Sequence, residues 1–269
     1  MELRIRPACA SDHPLVSRLY PELGSGDEVP PLERWIANEM ANTTVCERGG
    51  ASLGFLHAQV LEGEGYVRQV VADPSARGLG VGRALLGAFA ARLRSSGCDR
   101  WRLNVEPDNG PAIALYESLG LGRSHEGVAI DFPWEWLDVS PADATGEAIR
   151  EPRPADFADL ERRMALPSGQ LAERASVDSI HLRVIGAGEP LGLAAFDVAF
   201  PGCFPFRADT FPRAVDLLRG LRPLAQTPDM RIVLEDAPAL DAAFVAAGAR
   251  PHLRFLHMTG TVPPASDPA

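Results

Sequence analysis

The chain has 269 residues and a formal charge of −10, and all 26 of its basic residues are arginine. The absence of lysine excludes P-loop nucleotide hydrolases, protein kinases and pyridoxal enzymes, because each depends on a lysine side chain. The acidic balance argues against general nucleic-acid binding, which requires a basic face. With 46% hydrophobic and 23% charged residues, the composition is that of a globular protein with one large or two moderate domains.

Hydrophobic periodicity predicts the elements of the first half in chain order. We expect a strand at 2–7, helices at 12–20 and 31–41, strands at 43–48, 52–61 and 65–72, a helix at 79–96, a strand at 100–105, a helix at 110–119 and closing strands from about 121 to 133. This order predicts an α+β fold in which helices flank one mixed sheet.

A divergent internal repeat divides the chain into two halves. Its members recur in the same order, and the opening members keep a constant offset of 144 residues. The matching segments are Ile5-Arg6-Pro7 through Asp12 with Ile149-Arg150-Glu151 through Asp156, Leu53-Gly54 with Leu191-Gly192, and Tyr116 through Gly120 with Phe244 through Gly248. The polar segment 138–146 lies between the copies and predicts a linker. We therefore expect domains at 1–138 and 147–262, followed by a frayed tail at 263–269.

The cysteines and histidines give no sign of a disulfide framework or a metal site. Cys9, Cys46, Cys98 and Cys203 are widely spaced, which predicts buried thiols in a reducing cytoplasm. The six histidines have no recognised ligand spacing, so we expect no metal and ordinary surface or core positions for them. No apolar run reaches the length of a membrane span, and we expect no membrane association.

The clearest chemical signal is a glycine-rich turn between a predicted strand and a predicted helix. It reads Val70-Val71-Ala72-Asp73-Pro74-Ser75-Ala76-Arg77-Gly78-Leu79-Gly80-Val81-Gly82-Arg83. Three alternating glycines let backbone N–H groups crowd around an anion at the helix N-terminus, and Arg77 and Arg83 add positive charge for a phosphate. A helix entry with glycines retained for close packing is the alternative. The dinucleotide pattern G-x-G-x-x-G does not fit this spacing.

Two motifs in order resemble the GNAT N-acetyltransferase superfamily over roughly residues 2–133. Arg77-Gly-Leu-Gly-Val-Gly82 is similar to the family's Q/R-x-x-G-x-G/A signature, and Asn109-x-x-Ala112-x-x-Leu115-Tyr116-x-x-Leu119-Gly120 is similar to its second motif. The resemblance implies an acetyl-CoA-dependent N-acetyltransferase in which two tandem GNAT folds each have a mixed sheet flanked by helices.

The resemblance also implies roles for individual residues. The pyrophosphate of acetyl-CoA would lie on the N–H groups from Arg77 to Arg83, with Gly78, Leu79, Gly80, Val81 and Gly82 between them. The pantetheine arm would pair with the backbone of Val70, Val71 and Ala72, and an amide near Val70 would polarise the thioester carbonyl. Asn109 would contact the cofactor arm, although it also suits a helix N-cap.

Tyr116 is the implied proton donor to the leaving thiolate, and a packed aromatic residue is the alternative. Direct transfer also needs a neutral amine and therefore a general base. Glu106, which follows the strand at 100–105, is the candidate, and Glu33 and Glu39 on the second helix are others. The base stays open at this point.

The second half lacks the chemical features of the first. The run from Phe206 to Leu218 has no glycine where a pyrophosphate loop would stand, and the counterpart of Tyr116 is Phe244. This half resembles a degenerate GNAT domain, as in tandem members of the superfamily such as mycothiol synthases.

The sequence therefore predicts transfer of an acetyl group to a primary amine by direct attack. The acceptor would be a small-molecule or peptide amine, with no nucleic acid, membrane or metal involved. A non-catalytic acyl-CoA-binding or regulatory protein is the alternative, and the oligomeric state stays open.

Overall fold

The computed structural model describes residues 2–24, 26, 28–61 and 63–264. Residues 265–269 of the predicted tail lie outside the described residues. The chain forms two compact units, Met1–Ser124 with His257–Ala269, and His125–Leu256. This division differs from the domain boundaries expected from the sequence because each change of unit falls inside a long strand. The domains at 1–138 and 147–262 stay a prediction.

The helices and strands of the first unit follow the predicted order closely. They are β1 (Arg4–Pro7), α1 (His13–Leu19), α2 (Leu32–Asn38), β2 (Thr43–Arg48), β3 (Ala51–Leu61), β4 (Glu64–Ala72), α3 (Val81–Ser95), β5 (Arg100–Val105), α4 (Gly110–Glu117), the start of β6 (Leu121–Pro133) and the end of a C-terminal strand, Arg250–Thr261. Where closing strands were expected near 121–133, the structure has the single strand β6.

The sheet of the first unit has α3 on one face and α1 with α2 on the other. Strands β1 to β4 are antiparallel neighbours, and β5 lies parallel to β4. Cβ atoms built at Gly54 and Gly65 would lie 2.9 and 2.5 Å from side-chain atoms of Val81 and Leu93, so both glycines permit close packing of α3. On the opposite face, Phe55 and its neighbours form a buried apolar cluster that includes Leu15, Val16, Leu19, Tyr20, Trp35, Val45 and Val71.

The C-terminal strand supplies its last residues to the first unit. The Val262 N–H donates to the Asp99 carbonyl at 2.8 Å, and Arg94 donates to the Pro263 carbonyl at 2.6 Å. Met258 is fully buried. These contacts make residues 257–264 part of the core and edge of a unit that otherwise comes from the first half of the chain.

The second unit repeats the same order of elements. They are the remainder of β6, α5 (Trp136–Val139), β7 (Ile149–Arg150), α6 (Phe157–Arg163), α7 (Gln170–Ala175), β8 (Ile180–Ile185), β9 (Gly192–Asp197), β10 (Gly202–Ala208), α8 (Phe211–Leu221), β11 (Asp229–Glu235), α9 (Pro238–Ala246) and the start of the strand Arg250–Thr261, which is β12. Strand β10 is antiparallel to β9 and parallel to β11.

The internal repeat is visible as the same capping arrangement in both units. Arg6 binds both oxygens of Asp12 at 2.7 Å, and the Cys9 N–H donates to Asp12 at 2.8 Å. At the same offset of 144 residues, Arg150 donates to Asp156 at 3.1 Å, and the Arg153 N–H does the same at 3.1 Å. Each aspartate thereby ties the first strand of its unit to the helix that follows.

The second unit lacks the loop that the first unit places before α3. Eight residues, 73–80, separate β4 from α3, whereas only Asp209 and Thr210 separate β10 from α8. Phe244 is completely buried, and its ring lies 5.6, 5.1 and 6.1 Å from the rings of Trp136, Phe211 and Phe132. The residue in the Tyr116 position of this unit therefore belongs to an aromatic core.

The structure can be compared with the expected buried thiols and with the expected absence of a membrane span. Cys46, Cys98 and Cys203 are buried free thiols, whereas Cys9 is exposed. Among the described residues, every helix is too short or too polar to cross a bilayer.

Candidate functional site

Strands β4 and β5 separate along part of their length. Their parallel pairing runs from Glu64 with Arg100 to Val67 with Leu103, yet β4 continues to Ala72. The register between β3 and β4 shifts at this place, which leaves Arg68 as an extra residue, a β-bulge. A bulge bends its strand and increases its twist. The result is an opening between the two strands beyond Val67.

One edge of β4 faces this opening. The Asp73 N–H donates to the Leu53 carbonyl at 2.8 Å. Because backbone groups alternate along a strand, Val71 directs its N–H and C=O towards β3, whereas Val70 and Ala72 direct theirs to the opposite side. Of the three residues predicted to pair with an extended ligand, Val70 and Ala72 therefore present the backbone edge, and Val71 supports it from behind.

The three glycines of the turn have different physical roles. Gly78 and Gly80 have φ values of +80° and +82°, and a Cβ built at either would meet open space. These two positions need glycine for backbone conformation. Gly82 is helical, and its Cβ would lie 3.1 Å from the Leu115 side chain, so it allows α4 to pack against α3. Of the two explanations for the glycine-rich turn, room for a phosphate therefore applies to Gly78 and Gly80, and close helix packing applies to Gly82.

The N-terminus of α3 is suited to an anion. Helix α3 begins at Val81, and its first intrahelical bond is Ala84 N–H to the Gly80 carbonyl at 2.9 Å. The N–H groups of Val81, Gly82 and Arg83 therefore have no carbonyl within the helix. The helix dipole adds positive potential at the same point. Open space over Gly78 and Gly80 gives a pyrophosphate room to approach these amides.

Asp73 fixes the start of the glycine-rich turn. Its carboxylate accepts hydrogen bonds from the Ser75 N–H at 2.9 Å and the Ser75 hydroxyl at 2.6 Å, and it pairs with Arg18. These hydrogen bonds, those from Ser75 first, lower the pKa of Asp73 to about 2. The carboxylate therefore stays ionised and holds the turn at neutral pH.

The two arginines of the turn already have protein contacts. Arg77 pairs with Glu22 at 2.6 Å, and Arg83 donates to the Ser118 hydroxyl at 2.7 Å. The Ser118 hydroxyl is neutral, so this contact does not balance the charge of Arg83. Arg77 would have to exchange Glu22 for a phosphate. Phosphate binding by both side chains stays a prediction.

Asn109 and Tyr116 lie at the start and in the last turn of α4. Asn109 is the N-cap, and its Oδ1 accepts from the Ala112 N–H at 3.2 Å. Tyr116 is 6% exposed, and burial raises its pKa to about 12. The phenol is protonated at neutral pH, but full proton transfer to a thiolate of pKa ~8.5 would be uphill by about 5 kcal/mol. The role of Tyr116 towards a leaving thiolate stays a prediction.

The three candidate bases lie in different surroundings. Glu106 is half-buried after β5, and a Cβ built at Gly24 would be 2.6 Å from its Oε1, so this carboxylate packs against the backbone after α1. Glu33 is exposed on α2. Glu39 follows α2, and its Oε2 lies 3.8 Å from Nδ1 of His57 on β3. His57 was not identified from the sequence because it has no motif, and only the fold brings it to Glu39.

The parted parallel strands and the glycine-bearing helix N-terminus define the fold of an acyl-CoA N-acyltransferase. Residues 13–121 match the Acetyltransferase (GNAT) family. This segment is therefore a GNAT acetyltransferase domain. The fold expected from the sequence, two tandem GNAT copies of α+β class, is confirmed by solved structures.

Two solved structures superpose on nearly the whole chain. A GCN5-related N-acetyltransferase from Sphaerobacter thermophilus has a TM-score of 0.65 at 16% identity and covers 99% of this chain and 98% of its own. A tandem GNAT protein from the clavulanic acid biosynthesis pathway has a TM-score of 0.63 at 19% identity and covers 98% and 100%. At these identities the likeness concerns the fold.

Curated relatives match over shorter stretches. Mycothiol acetyltransferase of Thermobispora bispora is 41% identical over 34% of this chain and 32% of its own length. The corresponding protein of Thermomonospora curvata is 36% identical over 45% and 39%. The chain spans less than half the length of these relatives.

Proposed function

We propose that this protein is an N-acetyltransferase that transfers the acetyl group of acetyl-CoA to a primary amine. The observation that carries the proposal is the opening beside β4 together with the N-terminus of α3. The opening offers a strand edge for the amides of pantetheine, and the helix N-terminus offers free N–H groups for the pyrophosphate. Acetyl-CoA is an elongated molecule with both kinds of group, so it suits both features at once.

The residues around the opening would act on the thioester in order. Val70 directs its N–H into the opening and would stabilise the negative charge that develops on the carbonyl oxygen. The amine attacks the carbonyl carbon directly, with no covalent enzyme intermediate. Tyr116 would stabilise the departing thiolate through its hydroxyl. Asn109 already caps α4, and we propose that its exposed position also contacts the cofactor arm.

The acceptor is proposed to be a small-molecule amine, with a peptide amine as the other class to test. The support is that both reported relatives are named mycothiol acetyltransferases. The deacetylated form of mycothiol is therefore the first acceptor to test. We further propose that the second unit binds no acetyl-CoA, because its strand β10 runs almost directly into α8. We also propose that the protein works in the cytoplasm.

The test has two parts, binding and transfer. Calorimetry should show one acetyl-CoA per chain, and a thiol-release assay should show turnover with at least one member of a panel of deacetylated mycothiol, amino acids and peptides. Failure to bind acetyl-CoA would refute the proposal. Binding without transfer to any amine would instead support an acyl-CoA-binding or regulatory protein.

A further inference from the structure

A partly buried acid–base pair joins His57 of β3 to Glu39, which follows α2, beside the strand that borders the opening. Glu39 Oε2 and His57 Nδ1 are 3.8 Å apart, and the two side chains are only 17% and 9% exposed. This separation is that of an ion pair and is longer than a hydrogen bond. None of the steps proposed above uses either group.

The pair lies on the face of the sheet that α3 does not cover. Phe55 packs with the core of α1 and α2, and His57 is two residues further along β3, so alternation places it on the same face. His57 is paired in register with Gln69, the residue before Val70. Register partners are ~5 Å apart and successive residues ~3.4 Å, so the His57 backbone is within about 7 Å of the Val70 backbone.

The position of the pair suits an incoming amine. The pyrophosphate site is at the N-terminus of α3, which packs against the sheet face opposite to His57. A thioester that reaches through the opening from there would expose its carbonyl carbon towards the α1–α2 face. The Nε2 atom of His57 is shielded from bulk solvent, so a water that joins it to an amine attacking on that side would have to enter through the opening.

Basic groups from three neighbouring elements act on Glu39. Burial raises the pKa of this carboxyl, and Arg34 of α2, Arg68 of β4 and His13 of α1 act in the opposite direction. His57 of β3 is a further basic neighbour of this carboxylate. A carboxylate beside an imidazole favours a proton on the nearer nitrogen and stabilises the imidazolium form.

We propose that His57 is the general base of the transfer reaction and that Glu39 is its positioning residue. Glu39 keeps a proton on Nδ1, so that Nε2 accepts a proton from the acceptor ammonium through a water. The inference rests on the proposed acetyl transfer and assigns the base that the sequence left open between Glu106, Glu33 and Glu39.

The step balances as follows. The ammonium gives one proton to His57 through the water, and the neutral amine forms a C–N bond to the thioester carbon. The C–S bond breaks, and the thiolate takes the second proton from the nitrogen. The products are the acetamide and the CoA thiol, and the imidazolium returns its proton to solvent.

The experiment combines a titration that needs no turnover with a rate profile. Two-bond ¹H–¹⁵N NMR of the full chain, with His57 assigned by its loss in His57→Gln, gives the imidazole pKa in wild type and in Glu39→Gln. We expect that pKa to fall by about one unit in Glu39→Gln. The acid limb of the kcat/KM profile should move to lower pH with it. His57→Gln should lower kcat/KM about 100-fold and leave acetyl-CoA affinity within about twofold.

Two carboxylates serve as controls for this experiment. Glu33→Gln, at an exposed position on α2, should change neither the His57 pKa nor the acid limb. No change of the His57 pKa in Glu39→Gln would overturn the pairing, and an acid limb that follows Glu106→Gln instead would overturn the role of His57 as base. A wild-type protein that binds acetyl-CoA yet acetylates no amine sinks the proposed function, and the assignment with it, even where the titration shows coupling.

Discussion

Replacing Asp12 by asparagine should destabilise the first unit by about 2.5 kcal/mol near neutral pH. The hydrogen bonds from Arg6 lower the pKa of Asp12 from 3.8 to about 2, and the side chain is only 7% exposed. Each pKa unit corresponds to about 1.4 kcal/mol of preference for the ionised form in the folded state. The low exposure means that little of this value is lost to solvent screening.

The direction of the pKa shift determines how this loss of stability depends on pH. A carboxyl whose pKa is lowered by folding contributes stability above its unfolded pKa and loses it as pH falls through the folded value. The difference between wild type and Asp12→Asn should therefore be constant above pH 5, shrink to about half at pH 3 and vanish below pH 2.

Urea unfolding at several pH values, with hydrogen exchange read by mass spectrometry, would measure the loss in each unit separately. Asp156→Asn is the matched control, because Asp156 has the same place in the repeat but longer contacts of 3.1 Å and a side chain that is 19% exposed. It should cost the second unit less. A difference for Asp12→Asn that does not change between pH 6 and pH 3 would refute the electrostatic reasoning.

Three further predictions concern the site and the C-terminal strand. Gly80→Ala places a side chain at φ +82°, which costs ~1–2 kcal/mol. If the turn relaxes to another conformation to relieve this strain, the population that can bind acetyl-CoA falls, and calorimetry should show binding up to about 5- to 30-fold weaker. Gly87→Ala, in open space on α3, should not weaken binding. Tyr116→Phe should lower kcat by about 10- to 100-fold without changing the pH profile below pH 10, because its pKa is about 12; equal turnover would remove the hydroxyl from the mechanism. Met258→Ala should destabilise the first unit by about 2–5 kcal/mol in urea unfolding, because Met258 is fully buried; a loss confined to the second unit would contradict this assignment.

Local signals in the sequence were sufficient for most elements of the first unit. The predicted strands at 43–48 and 100–105 have the observed bounds. Helix α3 begins at Val81 rather than at residue 79, because Gly78 and Gly80 have positive φ and cannot continue a helix. The N-cap role of Asn109 was visible because capping depends on neighbouring residues alone.

Features that depend on distant parts of the chain could not be predicted in this way. The proximity of Glu39 and His57 requires the pairing of β2 with β3 and the placement of α2, and neither residue has a motif. The bulge at Arg68 has no distinctive sequence, yet it accompanies the opening beside β4. The sequence could not predict that residues 257–264 belong to the first unit, because hydrophobic periodicity identifies a strand but not the strand with which it pairs.

The path of the C-terminal strand has a consequence for synthesis of the protein. Residues 257–264 are translated only after all of residues 125–256, so the first unit lacks buried Met258 until the second has left the ribosome. In each round of translation, the core of the proposed catalytic unit would be completed only after the second unit has been synthesised. A fragment made from the first half alone would not contain that complete core. The second unit can therefore set when the first unit is completed without binding any ligand itself.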